Sequence, residues 1–331
     1  MRVSLHKILF KNMLNRRILR IKAFKVLYSS VLSDDMTLSH AESQLEISCE
    51  ATRDLYLYML GIVSPLTAVA RERIEAAKSK FNPTEEERNP NMKFAENALA
   101  ALLDKDPDFN KLFAKKKLSW QQYDLFLKKV MSSVMTKDYY AEYMASETRS
   151  LAEDCRLFTR IFEEEFVDSE DLEKILEDKS IYWNDDLAYS LTWCCKTLKS
   201  LSDGERWQLP PLYQSETMTG AEVESDKLFV RKLLQSSFAA YERYSAMVAE
   251  NVSGWEKDRL FSSDVVLIAM GLAEAVTFPT IPVKVTINEY VEISKFYGTP
   301  KSRAFVNGLL DKLVQTLADE GKINKAGKGL L

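Results

Sequence analysis

Between Ile281 and Leu313 the chain carries two helices with their stops, IPVKVTINEYVEISKFYGTPKSRAFVNGLLDKL, and this stretch constrains the fold more than any other. Pro282, with its fixed φ and missing N–H, suits a first helical turn, and Gly298 suits a left-handed stop after the last one. A short break at Thr299-Pro300 separates it from a second helix that starts near Ser302. Phe305, Leu309, Leu313 and Leu317 follow at steps of four, which gives that helix one apolar face. Gly308 interrupts it. An interior glycine costs about 1 kcal/mol relative to alanine, so the position predicts a close approach of a second helix.

The rest of the chain follows the same pattern. Only 10 glycines and 9 prolines occur in 331 residues, too few for a sheet protein built on glycine turns, and the fold class is read as all-α. Val265 to Ala273 is an unbroken apolar run, too short to span a bilayer, and reads as a buried helix. Helical periods recur from Leu38 to Lys80, within Phe94 to Leu103, Trp120 to Met135 and Tyr139 to Phe166, and from Phe229 to Met247. Two stretches interrupt them: NPTEEERNPN at 82–91, framed by two Asn-Pro steps, and the Pro- and Gly-containing segment 203–225. The expected organisation is a basic N-terminal part (1–82), a helical insertion with its linkers (83–225), acidic in its second half, and a C-terminal bundle (226–331).

Several chemistries are excluded by count. His6 and His40 are the only histidines, so neither a His-based triad nor a multi-histidine metal site can be assembled. Cys49, Cys155, Cys194 and Cys195 lack the spacing of a zinc or redox pair and read as thiols. No glycine-rich phosphate loop is present. No catalytic residue, metal or cofactor is assigned.

The net charge of −4 conceals a strong asymmetry. Residues 1–33 hold eight basic residues and no acid, which leaves 37 basic against 49 acidic residues in the remainder. Asn15 is the expected N-cap of a helix whose Leu19, Ala23, Val26 and Ser30 make a narrow docking face. Arg16, Arg17 and Arg20 crowd its first turns, and Arg20, Phe24 and Tyr28 follow in one row. Positive charge at a helix N-terminus opposes the macrodipole, so an external anion is expected to offset it. A basic surface helix, an Arg-rich transit peptide and an RNA-contacting helix all fit these residues alone.

The residues Pro282, Lys284, Val285, Ile287, Asn288, Glu289, Glu292, Lys295 and Gly298, then Phe305, Val306, Asn307, Gly308, Leu310, Asp311 and Lys312, carry a resemblance. This stretch is similar to the closing signature of the NusB transcription antitermination proteins. Weaker similarity covers Asp264 to Glu274, the helix from about Asp226, and Arg16-Arg17, Arg20 and Leu27-Tyr28. The resemblance implies a NusB-like helical bundle with an additional helical insertion. It also implies a non-enzymatic, cytoplasmic factor that binds boxA-type single-stranded RNA with ribosomal protein NusE within the RNA polymerase antitermination complex, without a membrane. Carried onto this chain, it assigns RNA contact to Arg16, Arg17, Arg20, Lys22 and Tyr28 on the basic helix. Beyond Gly298 it adds Lys301, Ser302 and Arg303, with Tyr297 and Phe305 for stacking. The partner protein is expected on the helix around Asp258, Asp264 and Glu274. Family members often carry arginines where this chain has Val265 and Ala269. The alternative is a helical interaction scaffold without RNA recognition.

Overall fold

The computed structural model describes residues 12–33, 37–218, 221–252 and 262–326; Asp258 lies outside them. Fifteen helices in chain order account for most of these residues: α1 (Arg16–Leu32), α2 (Leu38–Leu60), α3 (Val63–Lys78), α4 (Glu85–Arg88), α5 (Ala98–Lys105), α6 (Pro107–Lys115), α7 (Asp124–Val134), α8 (Asp138–Ala145), α9 (Leu151–Ile161), α10 (Glu170–Lys179), α11 (Leu187–Ser202), α12 (Ser225–Glu250), α13 (Ser262–Thr277), α14 (Val283–Tyr297) and α15 (Ser302–Asp319). One antiparallel hairpin, β1 (Glu216–Met218) and β2 (Ala221–Val223), precedes α12. The all-α reading holds, with this hairpin inside the segment expected to be a linker. Among the described residues no helix is long and apolar enough to cross a membrane.

The chain divides into two compact units. Among the described residues one is continuous, Glu50–Pro210, and the other joins residues 12–49 to those from Pro211 onward. Helix α2 contributes its first half to the second of these and its last turns to the first.

In the continuous unit, α9 packs on α11, α5 and α8, and α3 packs on α5 and α7. Aromatic side chains fill the centre: Phe94, Phe158, Phe162 and Phe166 are buried, and Tyr58 stacks on Trp120 at 4.1 Å. Asn97, Asp106 and Ser150 cap α5, α6 and α9 by accepting from backbone N–H groups. The stretch 82–91, expected to be a loop, contains the single turn of α4. Thr84 and Glu87 form a reciprocal capping box around it, which offsets the cost of nucleating so short a helix.

In the discontinuous unit α13 is the centre, packed against α1, α12, α14 and α15. Every residue from Asp264 to Ala275 is buried, which is why its sequence is apolar on all sides. Gly271 is the close approach in this bundle: a Cβ there would lie 2.9 Å from Leu310 and 3.3 Å from Tyr290. That corrects the role expected for Gly308, which is exposed with nothing within 4 Å of an added Cβ. The buried stripe of α15 runs through Ser302, Val306, Leu310, Leu313 and Leu317, and Phe305 lies at its edge, half-buried. Gly298 does stop α14, but at φ −111° and ψ −172°, in extended backbone. It is glycine for lack of space, because a Cβ would fall 2.4 Å from the Ser302 Cβ.

Candidate nucleic-acid interface

Helix α1 begins as its sequence requires, with the Asn15 side chain accepting from Ile18 N at 2.9 Å. Leu19, Ala23, Phe24, Val26 and Leu27 are buried, which seats the helix on the bundle formed by α12 and α13. The arginines of its first turns each meet a carboxylate. Arg16 Nε donates to Asp226 Oδ1 at 3.1 Å, and its guanidinium lies over the Phe229 ring, 5.0 Å from the centroid. Arg17 donates from Nε and Nη2 to both oxygens of Glu289, at 2.9 and 2.7 Å. These two side chains remain 45% and 49% exposed. The charges that oppose the α1 macrodipole are thus offset from within the bundle, and no external anion is required for that purpose.

Arg20 is different in kind. It is 3% exposed and donates to both oxygens of Glu274, at 2.7 and 2.8 Å. Glu274, fully buried on α13, also accepts from Thr286 Oγ1 at 2.9 Å and Tyr290 OH at 3.2 Å. Burial works against the Arg20 charge, but the hydrogen bond and charge of Glu274 prevail and hold the guanidinium pKa above its ordinary value. The same burial, reinforced by Glu274, raises the Tyr290 phenol well above its usual range. This is a satisfied internal network of α1, α13 and α14.

Burial therefore removes several residues from the surface expected of them. Arg20 and Glu274 are partners inside the bundle and are withdrawn as RNA and protein contacts respectively. Lys22 is 3% exposed, with Nζ donating to Ser48 O at 2.8 Å. Ser302 is buried and its Oγ donates to Asp264 Oδ2 at 2.7 Å while accepting from Thr299 N at 2.8 Å. Asp264 is buried in turn, so this pair fixes the Thr299-Pro300 turn from beneath. Burial raises the Asp264 pKa against the lowering effect of the Ser302 hydrogen bond. Val265 and Ala269 are also buried and present no surface.

Of the remaining candidates, Arg16, Arg17, Tyr28 and Tyr297 lie along the contact of α1 with α14. Arg17 of α1 meets Glu289 of α14, and seven residues further along α1, Phe24 meets Tyr297 at 5.3 Å, so the two helices run parallel along a common seam. A cleft of about 510 Å³ opens at its start, lined by Asn15, Arg16, Arg17, Pro282, Val285 and Glu289, with Arg20 in its floor. At its end Lys25 lies 5.6 Å over the Tyr297 ring, and the Tyr28 ring is 5.8 Å from Phe24. Tyr28 OH is also 3.1 Å from Ser262 Oγ. Glu292 bridges the two ends electrostatically: Lys295, to which it is hydrogen-bonded, Arg17 and Arg303 together lower its pKa. Lys301 and Arg303 are exposed beyond the turn. Two residues of this surface escaped the sequence reading. Lys25 follows Arg17 and Ile21 at steps of four, a spacing that places it on the same face. Phe296, 72% exposed beside Tyr297, carried no signal because aromatic residues in helices are usually core.

Among the described residues no group of acidic, histidine or cysteine side chains is placed to hold a metal ion. The four cysteines are thiols, and burial raises Cys155 and Cys195 to about 12.

Fold and seam together define an all-α protein in which the two ends of the chain build one bundle and a basic helix lies beside an aromatic turn. The chain belongs to the NusB family. The family model matches residues 204–315, which covers the last seven residues of the continuous unit, the hairpin and α12 to most of α15, and leaves α1 and the rest of the continuous unit outside. The transcription antitermination protein NusB of Salinibacter ruber is 34% identical over 107 residues, 32% of this chain and 67% of that protein. That of Chloroherpeton thalassium is 34% identical over 105 residues, 32% of this chain and 50% of that protein, and that of Alkaliphilus oremlandii 29% identical over 96 residues, 29% and 70%. No solved structure matches the chain.

Proposed function

We propose that this chain is a non-enzymatic transcription antitermination factor of the cytoplasm that binds single-stranded RNA of the boxA type along the seam of α1 and α14. Ribosomal protein NusE and the RNA polymerase antitermination complex are its partners in this reading. The observation that carries it is the convergence of Arg16, Arg17 and Lys25 with Tyr297 and, through the shared Glu292, Arg303, although the two groups lie more than 270 residues apart. The span from Arg17 to Lys25 is eight residues of helix, about 12 Å, long enough for a short single strand. Guanidinium and ammonium groups take the phosphates, while Tyr28, Tyr297 and the edge of Phe305 offer π-faces to unpaired bases. An incoming phosphate competes with Glu289 for Arg17, so part of the binding energy replaces an existing ion pair.

The test is binding of a boxA-type strand across salt concentrations, with and without NusE. Single-stranded RNA contributes a slope of about 0.7 per phosphate neutralised, so joint replacement of Arg16 and Arg17 by alanine flattens it by about 1.4. An unchanged slope removes this reading. The pairing of all three arginines with carboxylates favours the second reading, a helical interaction scaffold. Under it, the same double variant lowers stability and leaves RNA affinity where it was.

A further inference from the structure

The continuous unit holds an apolar cleft that the RNA reading does not use. Its volume is about 740 Å³, and it lies between α3, α5, α6 and α7. Leu103, Leu127 and Trp120 form buried parts of its wall, and Phe113 and Leu118 are half-exposed. Trp120 is held in place by stacking on Tyr58 at 4.1 Å and by donating from Nε1 to Tyr58 O at 2.8 Å. The base is close-packed: a Cβ on Gly61 would fall 2.3 Å from the Phe113 ring. Ala68 and Ala114 are exposed on the walls, and their small side chains leave the mouth open.

The charged side chains lining the cleft are of one sign. Glu72, Asp104 and Asp124 are exposed on its rim, and among the described residues no lysine or arginine lines it. Asp104 accepts from Ser64 Oγ at 2.6 Å and lies in the last turn of α5, where the helix dipole adds negative potential. Asp124 is paired with Lys128 one turn along α7, at 2.6 Å, and the same ammonium interacts with Glu72, so one cation serves two of the three rim carboxylates and Asp104 is left without a cationic partner lining the cleft.

We propose that this cleft docks an amphipathic cationic helix of another protein, its apolar stripe against Trp120 and Phe113 and its lysines or arginines against Glu72 and Asp104. The walls are helices with no strand edge to offer, which excludes strand addition, and an amphipathic helix satisfies its own backbone hydrogen bonds while it buries an apolar stripe. The charge dictates its sign, since an acidic or neutral stripe leaves the rim carboxylates unmatched.

The test uses the full chain and two fluorescein-labelled peptides of about 15 residues with leucines at helical spacing, one otherwise lysine and one otherwise glutamate. The Leu/Lys peptide is expected to raise anisotropy with micromolar affinity and the Leu/Glu peptide to stay free. Ala68→Trp and, separately, Ala114→Trp fill the mouth from exposed positions and are each expected to weaken binding about tenfold. Glu72→Gln with Asp104→Asn is expected to weaken it severalfold at low salt, with the difference closing at high salt. Equal binding of both peptides overturns the proposal, as does parental affinity in both tryptophan variants with circular dichroism unchanged, which places the peptide on another acidic surface. Binding that appears only after removal of residues 1–11 also overturns it, because the occupant is then the chain's own basic start.

Discussion

Arg20 has its charge matched inside the bundle, by the two oxygens of Glu274 at 2.7 and 2.8 Å. The docking face of α1 read from Leu19, Ala23, Val26 and Ser30 is too narrow; with Phe24 and Leu27 added, the apolar arc widens until Arg20 lies inside it. Its partner, 254 residues away, has no local signature. Glu274→Ala leaves a buried guanidinium without its anion, and a loss of about 3–5 kcal/mol is expected in urea unfolding. The joint change Arg20→Met with Glu274→Leu removes both charges but leaves the Thr286 and Tyr290 hydroxyls without their acceptor, and is expected to cost less than Glu274→Ala; an equal loss in both variants means that the unpaired guanidinium is not the main cost. Asp264 gives a pH-dependent counterpart. Its Oδ1 is buried without a hydrogen-bond partner among the described residues, and its pKa is raised by burial. The folded state then holds the proton more tightly than the unfolded chain, so this carboxyl costs stability as pH rises through its unfolded value toward its folded one. Asp264→Asn keeps an acceptor for Ser302 and is expected to stabilise the protein by about 1 kcal/mol at pH 7. The advantage vanishes near pH 3, where Asp264 is protonated in both states. A gain that is constant with pH excludes the ionisation argument.

At the level of helices the sequence was read more successfully, because start and stop signals are local. Asn15 caps α1, α14 ends at Gly298, α15 starts at Ser302, and the apolar run around Val265 is the buried α13. What periodicity could not supply was the reason for each glycine, since that depends on which helix lies opposite. Gly271 sits under Leu310, whereas Gly308 faces open space. The two positions therefore respond with opposite sign to the same substitution. Gly271→Ala drives a methyl group into Leu310 and is expected to destabilise by about 1–3 kcal/mol. Gly308→Ala only removes backbone freedom from an exposed helical site and is expected to stabilise by up to about 1 kcal/mol. Thermal unfolding of the two variants beside the parent checks both signs. Destabilisation by Gly308→Ala overturns the placement of Gly308 on an open face of α15.

For the whole molecule, the order of the chain and the order of assembly diverge. Among the described residues the continuous unit lies within Glu50–Pro210, and its main packing, α9 on α11 and α3 on α5 and α7, joins helices no more than about 70 residues apart. The other unit cannot close until α1 meets helices that follow it by more than 200 residues, as in the Arg16–Asp226 and Arg17–Glu289 pairs. Loop-closure entropy grows only logarithmically with length, so this separation costs about 0.6 kcal/mol per doubling and barely affects final stability. It acts instead on the rate, because distant contacts must form before their stabilisation is gained. Refolding is accordingly expected to protect the amides of α9 and α11 before those of α1, with α13 and α14 completing together with α1 around the Arg20–Glu274 pair. Pulsed hydrogen exchange during refolding, read by mass spectrometry on peptides from each helix, distinguishes the two units. The Glu274→Ala change should then slow or abolish protection of α1 while the rate for α9 and α11 stays as in the parent. Simultaneous protection of α1 and α9 in the parent, or equal slowing of both in the variant, means that the two units fold as one cooperative body.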